Sequence, residues 1–452
     1  MPDPYLIIVV LLFLLAVSDL VVGVSNDAVN FLNSAVGSRV APRNVIMVVV
    51  SLGIFVGATF SSGMMEVARS GIFNPQFFVF GEIMVIFLAV MLTDIILLDL
   101  FNTLGLPTST TVSIVFELLG AAVLLSLIKI FDQGEGIQAI ATYINSSTAI
   151  LIISGIFLSV GIAFVTGAVV QYISRLIFSF RYQQKHRLIA ALWSGLASAS
   201  LTYFLLFKGI KGASFVSDSF ISWVGENTLL LLAGSFVVWT LAMWVLALRG
   251  VNVFRVVVLY GTFALAMAFA GNDLVNFIGV PVAGFESYLY WQDSGIDPFG
   301  YSMEVLTEPV RTNSYLLMAA GLVMIITLWF SKKARSVTET EVNLGRQNEG
   351  QERFSPNPLS RGIVRASSYA ASYAQQMFPD YFLKRAKTIF ETTEEQTADK
   401  PAFDLIRASV NLTMASTLIA LATSLKLPLS TTYVSFMVAM GTSLADKAWG
   451  RD

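Results

Sequence analysis

Long apolar stretches separated by short polar ones run along most of the 452 residues of the chain. Many of these stretches reach about 18 residues, the length that a helix needs to cross the hydrocarbon core of a bilayer. The strict apolar–polar alternation of a membrane β-barrel is absent from the sequence. The pattern therefore predicts an all-α, polytopic membrane protein. We expect its helices near residues 5–24, 44–64, 77–100, 112–131, 147–175, 188–208, 220–248, 252–270, 315–331, 403–425 and 432–446.

The composition supports this class of protein. The chain is 55% hydrophobic and only 13% charged, whereas a soluble domain is about 25% charged. Because the chain has no cysteine, disulfides, thiolate metal sites and cysteine nucleophiles are excluded. The single histidine, His186, lies in a basic loop without partners for a catalytic or metal site. A net charge of −2 gives no indication of nucleic-acid binding.

Basic residues orient the predicted helices, because lysine and arginine accumulate on the cytoplasmic side of a membrane. Five predicted spans precede a basic cluster at 175–187, and nine precede another at 332–335. Both clusters then lie on one side and the N-terminus on the other, although Arg69, Lys208 and Lys211 do not fit. The first apolar run has no basic flank or cleavage site, so we expect a permanent helix. These features predict a multi-pass protein of the cell's inner (plasma) membrane with its N-terminus outside.

One long segment interrupts the apolar pattern. Residues 332–402 are too polar to span a membrane and predict a cytoplasmic insertion. Its aromatic-rich middle, 365–389, is either a surface helix or a partly ordered linker, and a regulatory or partner-binding role is the alternative. The chain then divides into a first transmembrane repeat (1–180), connecting helices (181–251), the first part of a second repeat (252–331), the insertion (332–402) and the rest of the second repeat (403–452).

A short polar phrase occurs twice, each time after an apolar run. Ser25-Asn26-Asp27-Ala28-Val29-Asn30 is matched by Gly271-Asn272-Asp273-Leu274-Val275-Asn276. A carboxylate inside a bilayer is costly and usually marks an ion or substrate pathway. Two matched copies favour a single site built from two halves. Simple hydrogen bonding between helices is the alternative.

A second phrase is also repeated, in the same order. Pro107-Thr108-Ser109-Thr110-Thr111 is matched by Pro428-Leu429-Ser430-Thr431-Thr432. The separation from Asn26 to Pro107 is 81 residues and that from Asn272 to Pro428 is 156, so the excess of 75 is close to the length of the polar insertion. This arithmetic indicates a duplication. Seven predicted spans separate the Asn-Asp phrases, and an odd number predicts inverted repeats with broken or re-entrant helices that meet near the midplane.

The two phrases have complementary chemistry. Pro-x-Ser-Thr-Thr before an apolar run predicts a helix start, where hydroxyls cap free N–H groups. Inside a membrane, such a start offers an oxyanion both hydroxyl groups and the positive end of the helix dipole. Neither copy contains arginine or lysine, so a multivalent anion needs a cation, for which the Asn and Asp oxygens are ligands. The sequence therefore predicts symport, with an ordinary cap at the membrane surface as the alternative.

At these residues the chain resembles the inorganic phosphate transporter (PiT) family, whose members carry Gly-Ala-Asn-Asp-Val-Ala-Asn in both halves, each followed by Pro-x-Ser-x-Thr or a close variant. The resemblance covers both halves outside 332–402. It implies phosphate symport coupled to Na+ or H+, with Na+ favoured and no cofactor, and we expect a homodimer for this class. It implies phosphate contacts at Ser109, Thr110, Thr111, Ser430, Thr431 and Thr432, and Na+ at Asp27 and Asp273, with Asn26, Asn30, Asn272 and Asn276 binding Na+ or shaping the site. Glu82 is similar to a glutamate of many members, which implies an accessory role; a polar residue at a helix interface is the alternative.

The chain departs from the family's pattern at several positions. Val112 and Tyr433 stand where a histidine often follows the threonine pair, so a proton relay through that histidine does not carry over. Ser25 replaces the usual alanine, and Arg407 inside a predicted span has no explanation. The second half stops soon after its last motif, which predicts a truncated second repeat.

Three other functions compete with phosphate symport. Sulfate is the main rival substrate, because the resemblance extends to sulfate permeases. A carboxylate such as Asp27 accepts hydrogen bonds from protonated phosphate and repels sulfate, which favours phosphate unless cations satisfy the carboxylates first. An intramembrane enzyme would use Asp27 and Asp273 as an acid–base pair, yet the sequence offers no evident nucleophile. A channel needs a continuous pore, and paired motifs suit alternating access better. We therefore predict a transporter and not an enzyme.

Overall fold

The computed structural model describes residues 3–59, 71–180, 186–203, 205, 217–307, 314–347, 400–425 and 429–448, with a few positions between 358 and 369. Apart from two isolated β-bridges, the regular structure of this described part is helical. Its helices are α1 (Pro4–Asp27), α2 (Val29–Gly37), α3 (Arg43–Thr59), α4 (Phe80–Leu104), α5 (Thr110–Asp132), α6 (Ile140–Tyr143), α7 (Ser146–Phe178), α8 (Arg187–Thr202), α9 (Asp218–Glu226), α10 (Thr228–Leu248), α11 (Val253–Ser294), α12 (Ser314–Phe330), α13 (Lys332–Leu344), α14 (Leu405–Ser424) and α15 (Thr431–Ala445).

Seven helical segments within the described ranges are long and apolar enough to cross a membrane. The pair α12 and α13, bent by 72°, forms an eighth candidate if it counts as one span. The outer faces of these helices expose large apolar side chains, among them Ile96, Phe157 and Leu229. Contiguous apolar surface of this kind is stable against lipid and unstable against water. The chain is therefore a multi-pass, all-α membrane protein.

Every predicted span contains a helix, and two differ clearly from the prediction. The span predicted at 220–248 is two helices, α9 and α10, separated at Asn227. The span predicted to end at 270 continues as α11 to Ser294 and includes the second Asn-Asp phrase and Pro281. The prediction ended too early because the polar phrase breaks the apolar pattern, whereas its side chains find partners on neighbouring helices. The predicted ends at 64 and 208 lie outside the described residues.

The predicted polar insertion begins as an ordered helix. Residues 332–344 form α13, which packs against α1 and α2. Asn33 of α2 donates a hydrogen bond from Nδ2 to Oε1 of Glu341, a carboxyl that is only 1% exposed. The start of this segment is thus joined to the membrane helices. Of the aromatic-rich stretch 365–389, all but 365, 366 and 369 lie outside the described residues.

The core forms two large apolar clusters that meet at α1 and α11. One cluster gathers α2, α3 and α14, and the other gathers the first half of α1 with α4 and α5. A close glycine contact joins α15 to α7: a Cβ added at Gly441 would strike the Phe164 carbonyl, and one at Gly167 would strike the Val438 carbonyl. This contact packs the second half of α15 closely against α7.

Candidate functional site

Both Ser-Thr-Thr phrases are helix N-termini. Ser109 is the N-cap of α5, and its Oγ accepts a hydrogen bond from the Val112 N–H at 3.2 Å. Ser430 is the N-cap of α15, and its Oγ accepts from the Tyr433 N–H at 3.0 Å. Serine at this position satisfies one of the N–H groups that a helix start leaves free. The predicted helix starts are therefore confirmed. Pro107 precedes its N-cap by two residues, and Pro428 lies outside the described residues.

The two Asn-Asp phrases lie on helices whose backbones differ. Asn26 and Asp27 end α1, Ala28 follows them, and Asn30 lies in α2. The second phrase lies inside the uninterrupted α11. At the first phrase α1 and α2 meet at Ala28, whose φ and ψ are helical, so Pro4–Gly37 is one long segment with an irregularity of a single residue. The side chains of both phrases are nevertheless buried alike, with exposures between 0% and 6% for Asn26, Asp27, Asn30, Asn272, Asp273 and Asn276.

Asp27 is held by threonines from both helix starts. Thr110, from the first phrase, donates from Oγ1 to Oδ2 of Asp27 at 2.9 Å. Thr432, from the second phrase, donates from Oγ1 to Oδ1 at 3.1 Å. The carboxylate thus joins α1 to both α5 and α15.

Asp273 has the reciprocal pair of partners. Thr431, from its own half, donates from Oγ1 to Oδ2. Thr111, from the other half, donates from Oγ1 to Oδ1 at 3.0 Å. Each aspartate therefore accepts a hydrogen bond from the first threonine of the Ser-Thr-Thr sequence in its own half. It accepts another from the second threonine of the Ser-Thr-Thr sequence in the other half. Two sites separated by more than 240 residues in the chain form one intertwined cluster.

The last asparagine of each Asn-Asp phrase also bonds a threonine of the other half. Asn30 donates from Nδ2 to Oγ1 of Thr432 at 3.0 Å, and Asn276 donates from Nδ2 to Oγ1 of Thr111 at 3.0 Å. Each second threonine accepts a hydrogen bond from this asparagine and donates one to the aspartate of the same Asn-Asp phrase. The four threonine hydroxyls are thereby oriented by the protein itself.

The first asparagine of each phrase holds the backbone that leads into the helix start. Asn26 donates from Nδ2 to the Leu106 carbonyl at 2.9 Å, and its Oδ1 accepts from the Thr108 N–H at 2.7 Å. Asn272 donates to the Leu429 carbonyl at 3.5 Å. Asn102 of α4 also accepts from Asn26 at 3.0 Å. Sequence reasoning missed Asn102, although an asparagine at the end of an apolar run is a signal of the same kind.

The cluster has no fixed positive charge. None of the ion pairs within the described ranges includes Asp27 or Asp273. The Oδ1 atom of Asn272 is buried and has no hydrogen-bond partner among the described residues. Two carboxylates with amide and hydroxyl oxygens around them offer the oxygen donors that hard cations take. The arrangement can therefore bind a small cation at each aspartate and present hydroxyl and N–H donors to an anion.

Glu82 lies away from this cluster. It sits in the first turn of α4, where its Oε2 accepts from the Val79 N–H at 2.9 Å and from Lys129 Nζ at 2.9 Å. Asn102, which contacts the site, is 20 residues further along the same helix, roughly 30 Å at 1.5 Å per residue. The structure does not bring Glu82 to the site, and its contacts are those of a polar residue between helices.

Other buried charged residues were missed or left unexplained by sequence reasoning. Asp19, Asp94 and Glu117 are carboxyl groups inside three different membrane helices. Each could have been noticed as a charge within an apolar run. Arg407 is explained by the structure, since its Nε donates to Asp446 Oδ2 at 2.9 Å.

The fold is that of a multi-pass membrane protein with a buried polar cluster shared between two halves of the chain. The profile of the Phosphate transporter family matches residues 23–339, which is more than half of the chain, and the protein belongs to this family. A solved structure described as "The sodium-dependent phosphate transporter" is similar in fold, with a TM-score of 0.64 and 18% sequence identity over 97% of this chain and 90% of that chain. No curated protein matches the sequence.

Proposed function

We propose that this protein is a symporter that carries inorganic phosphate together with Na+ by alternating access. The reciprocal binding of Asp27 and Asp273 by threonines of both halves carries the proposal. The same hydroxyls that donate to these carboxylates are the donors that a phosphate needs. If a cation binds the carboxylates, the hydroxyls are released to the anion, so the binding of one ion favours the binding of the other.

Charge repulsion makes the cation necessary. Two unit charges 4 Å apart interact by about 4 kcal/mol at an effective dielectric constant of about 20. A phosphate carries one or two negative charges, and the site adds those of Asp27 and Asp273 without lysine or arginine. One Na+ at each aspartate removes this repulsion. Asn26, Asn30, Asn272 and Asn276 then complete or shape the cation sites, and Ser109 and Ser430 lie with the four threonines at the anion.

The hydrogen bonds that join the two halves also suit alternating access. Because two of the four aspartate–threonine contacts join the two halves, movement of one half against the other changes both cation and anion binding. This mechanism fits two inverted repeats related by an axis in the membrane plane. We propose the inner (plasma) membrane, with the N-terminus outside, residues 332–402 cytoplasmic, and a homodimer as the assembly.

Phosphate uptake into proteoliposomes, with Na+ and pH gradients imposed separately, tests the proposal. We expect uptake to follow the Na+ gradient. We also expect it to resist competition by sulfate, because a carboxylate oxygen that Na+ leaves free accepts a hydrogen bond from protonated phosphate, whereas sulfate has no hydrogen to donate. Asp27→Asn and Asp273→Asn should abolish the Na+ dependence, whereas Asp99→Asn, at a half-exposed carboxylate of α4, serves as the matched control. Uptake that follows only the pH gradient, or that sulfate blocks, would contradict the proposal.

A further inference from the structure

Three carboxyl groups lie together outside the phosphate site. Asp19 is on α1, Asp94 on α4 and Glu117 on α5, each within the membrane-spanning part of its helix. Asp19 and Asp94 are both 0% exposed. Asp19 lies within hydrogen-bonding reach of Asp94, and Asp94 within reach of Glu117. The three side chains therefore form one cluster, completed by Ser113 of α5.

The contacts of Ser113 require more hydrogens than ionised carboxylates supply. Its Oγ lies 2.5 Å from Asp94 Oδ1 and 2.7 Å from Glu117 Oε1. A hydroxyl group has one hydrogen to donate, and an ionised carboxylate has none. If both acids were ionised, one of these two short contacts would join two acceptors. A proton on Asp94 or Glu117 converts it into a hydrogen bond.

Asp19 leads to the same conclusion from an independent contact. Both of its carboxyl oxygens are buried, and no donor in the described part of the chain reaches them. Oδ2 of Asp94 and Oε2 of Glu117 are buried without a donor in the same way. An ionised carboxylate buried without partners costs several kcal/mol even after the protein relaxes. A proton shared between Asp19 and Asp94 removes this cost.

Neighbouring helices supply no counter-charge. The cluster lies on α1, α4 and α5, and the helices packed against these include α11, α12 and α13. α12 carries no charged residue, and the basic residues of α13 (Lys332, Lys333 and Arg335) lie in its first turn, where Lys333 pairs with Asp99. The nearest charged residues along the other four helices are Asp27 on α1, Asp99 on α4, Lys129 on α5, and Asp273 and Glu286 on α11. Lys129 pairs with Glu82 near the far ends of α4 and α5, and Asp99 pairs with Lys333 of α13. The remaining neighbours are themselves acidic, so they disfavour ionisation of the cluster further.

A groove connects the cluster to the proposed phosphate site. It has a volume of about 680 Å³ and lies between α4 and α5. Thr108 and Ser109 line it beside the start of α5, and Ser113 and Glu117 line it further along. Glu117 and Ser113 are thus the members of the cluster that reach this groove.

We propose that Asp19, Asp94, Glu117 and Ser113 form a proton-binding site, separate from Asp27 and Asp273, that holds at least one proton and exchanges it with water through this groove. The step is protonation alone: a proton from water adds to a carboxylate oxygen, and no other bond changes. The inference depends on its own contacts and not on the coupling ion of the proposed function.

Infrared difference spectroscopy of the full-length purified protein tests this site. The measurement follows the carbonyl stretch of protonated carboxylic acids while pH is raised at constant Na+. We expect a band that is present near neutral pH, disappears on raising the pH, and is diminished in both Asp94→Asn and Glu117→Gln. Asp99→Asn on the same helix should leave it unchanged. A band that is equal in all variants, or that responds to Na+ at constant pH, would overturn the proposal.

Ser113→Ala provides a second variant if the carboxyl variants do not fold. It keeps all three acids and removes the one hydroxyl between two of them. In the protonated cluster that hydroxyl donates to one acid and accepts from the other, whereas between two ionised acids it can only donate to one. Its removal therefore costs the protonated form one more hydrogen bond, and we expect the titration midpoint to move downward by about one pH unit, the size of one hydrogen bond. An unmoved midpoint would contradict the assignment. Since neither measurement involves transport, their failure leaves Na+-coupled phosphate uptake to be judged by the proteoliposome assay.

Discussion

One buried polar cluster of this protein is balanced in charge. Arg175 of α7 binds Asp446 through Nη2 at 2.6 Å and Asp404 through Nη1 at 2.6 Å. Arg407 of α14 binds the same Asp446 carboxylate at 2.9 Å. Two arginines thus face two aspartates, and the guanidinium groups are 0–1% exposed. This balanced cluster ties α7, α14 and the end of α15 together without any ligand.

The proposed phosphate site, around Asp27 and Asp273, is the opposite case. Asp27 and Asp273 are equally buried, but their partners are hydroxyl and amide groups rather than cations. A buried charge with a fixed counter-charge is part of the fold, whereas a buried charge without one is costly until a ligand neutralises it. The comparison therefore predicts that the balanced cluster stabilises the fold and that Asp27 and Asp273 bind an ion.

The largest expected effect follows from breaking the balanced cluster. Asp446→Asn leaves two buried arginines with one carboxylate, and loss of one partner from a buried ion pair costs about 3–5 kcal/mol. We expect a strongly lowered unfolding temperature for the purified protein in detergent. The control is Asp99→Asn, which breaks the half-exposed pair with Lys333 and should cost about 1 kcal/mol or less. Equal losses in the two variants would show that the balanced cluster is not a structural tie.

An Asp→Asn substitution at the proposed phosphate site should affect transport strongly and stability little. Asp273→Asn removes a charge that has no counter-charge, so we expect an unfolding temperature that is unchanged or raised. Na+-driven phosphate uptake should fall by about a thousandfold, the equivalent of the roughly 4 kcal/mol between two unit charges 4 Å apart at an effective dielectric constant of about 20. Asp27→Asn should behave alike. A variant that loses stability but keeps transport would assign these aspartates to the fold.

The sequence predicts the side chains of the proposed phosphate site far better than it predicts the balanced cluster. Apolar runs locate the helices, and the repeated phrases locate the buried side chains of the site, because both signals are local. The sequence does not explain Arg407, because its partner Asp446 lies 39 residues further along the chain. Arg175, which shares this carboxylate, lies more than 230 residues before Arg407. Such a pairing depends on how α7, α14 and α15 pack, which no local pattern contains.

The same limit applies within the site. The spacing of the phrases predicts that the two halves meet, but not that Asp27 takes its second threonine from the other half. That exchange is a consequence of helix crossing. Asp19 and Asp94 likewise stand out singly as charges within apolar runs, and only the packing of α1 on α4 shows that they meet.

A smaller effect is expected when a hydrogen bond between the two halves is removed. Thr432 accepts from Asn30 and donates to Asp27, and Thr111 does the same between Asn276 and Asp273. Thr432→Val and Thr111→Val should each raise the KM for phosphate about tenfold, because one hydrogen bond to a charged group contributes about 1.5 kcal/mol.

Serine at either position keeps the hydroxyl and should restore uptake. Thr423→Val is the matched control, since the Thr423 hydroxyl bonds the carbonyl of Ile419 in its own helix. Effects of equal size at Thr432 and Thr111 are expected for a site shared by two equivalent halves. A loss confined to one position would show that a single half binds the anion.

The smallest effect is expected at Glu82, where the resemblance to the family and the geometry disagree. Its pair with Lys129 is 18% exposed on both sides, and such partly exposed pairs contribute about 1 kcal/mol or less. Glu82→Gln should therefore change the unfolding temperature slightly and leave Na+-driven uptake within about twofold of the unaltered protein. If uptake instead falls as far as in Asp27→Asn, Glu82 takes part in transport in another arrangement of the helices. A carboxylate that acts in transport would then have a fixed counter-charge in this structure. The presence or absence of a counter-charge would not by itself distinguish structural carboxylates from those that act in transport.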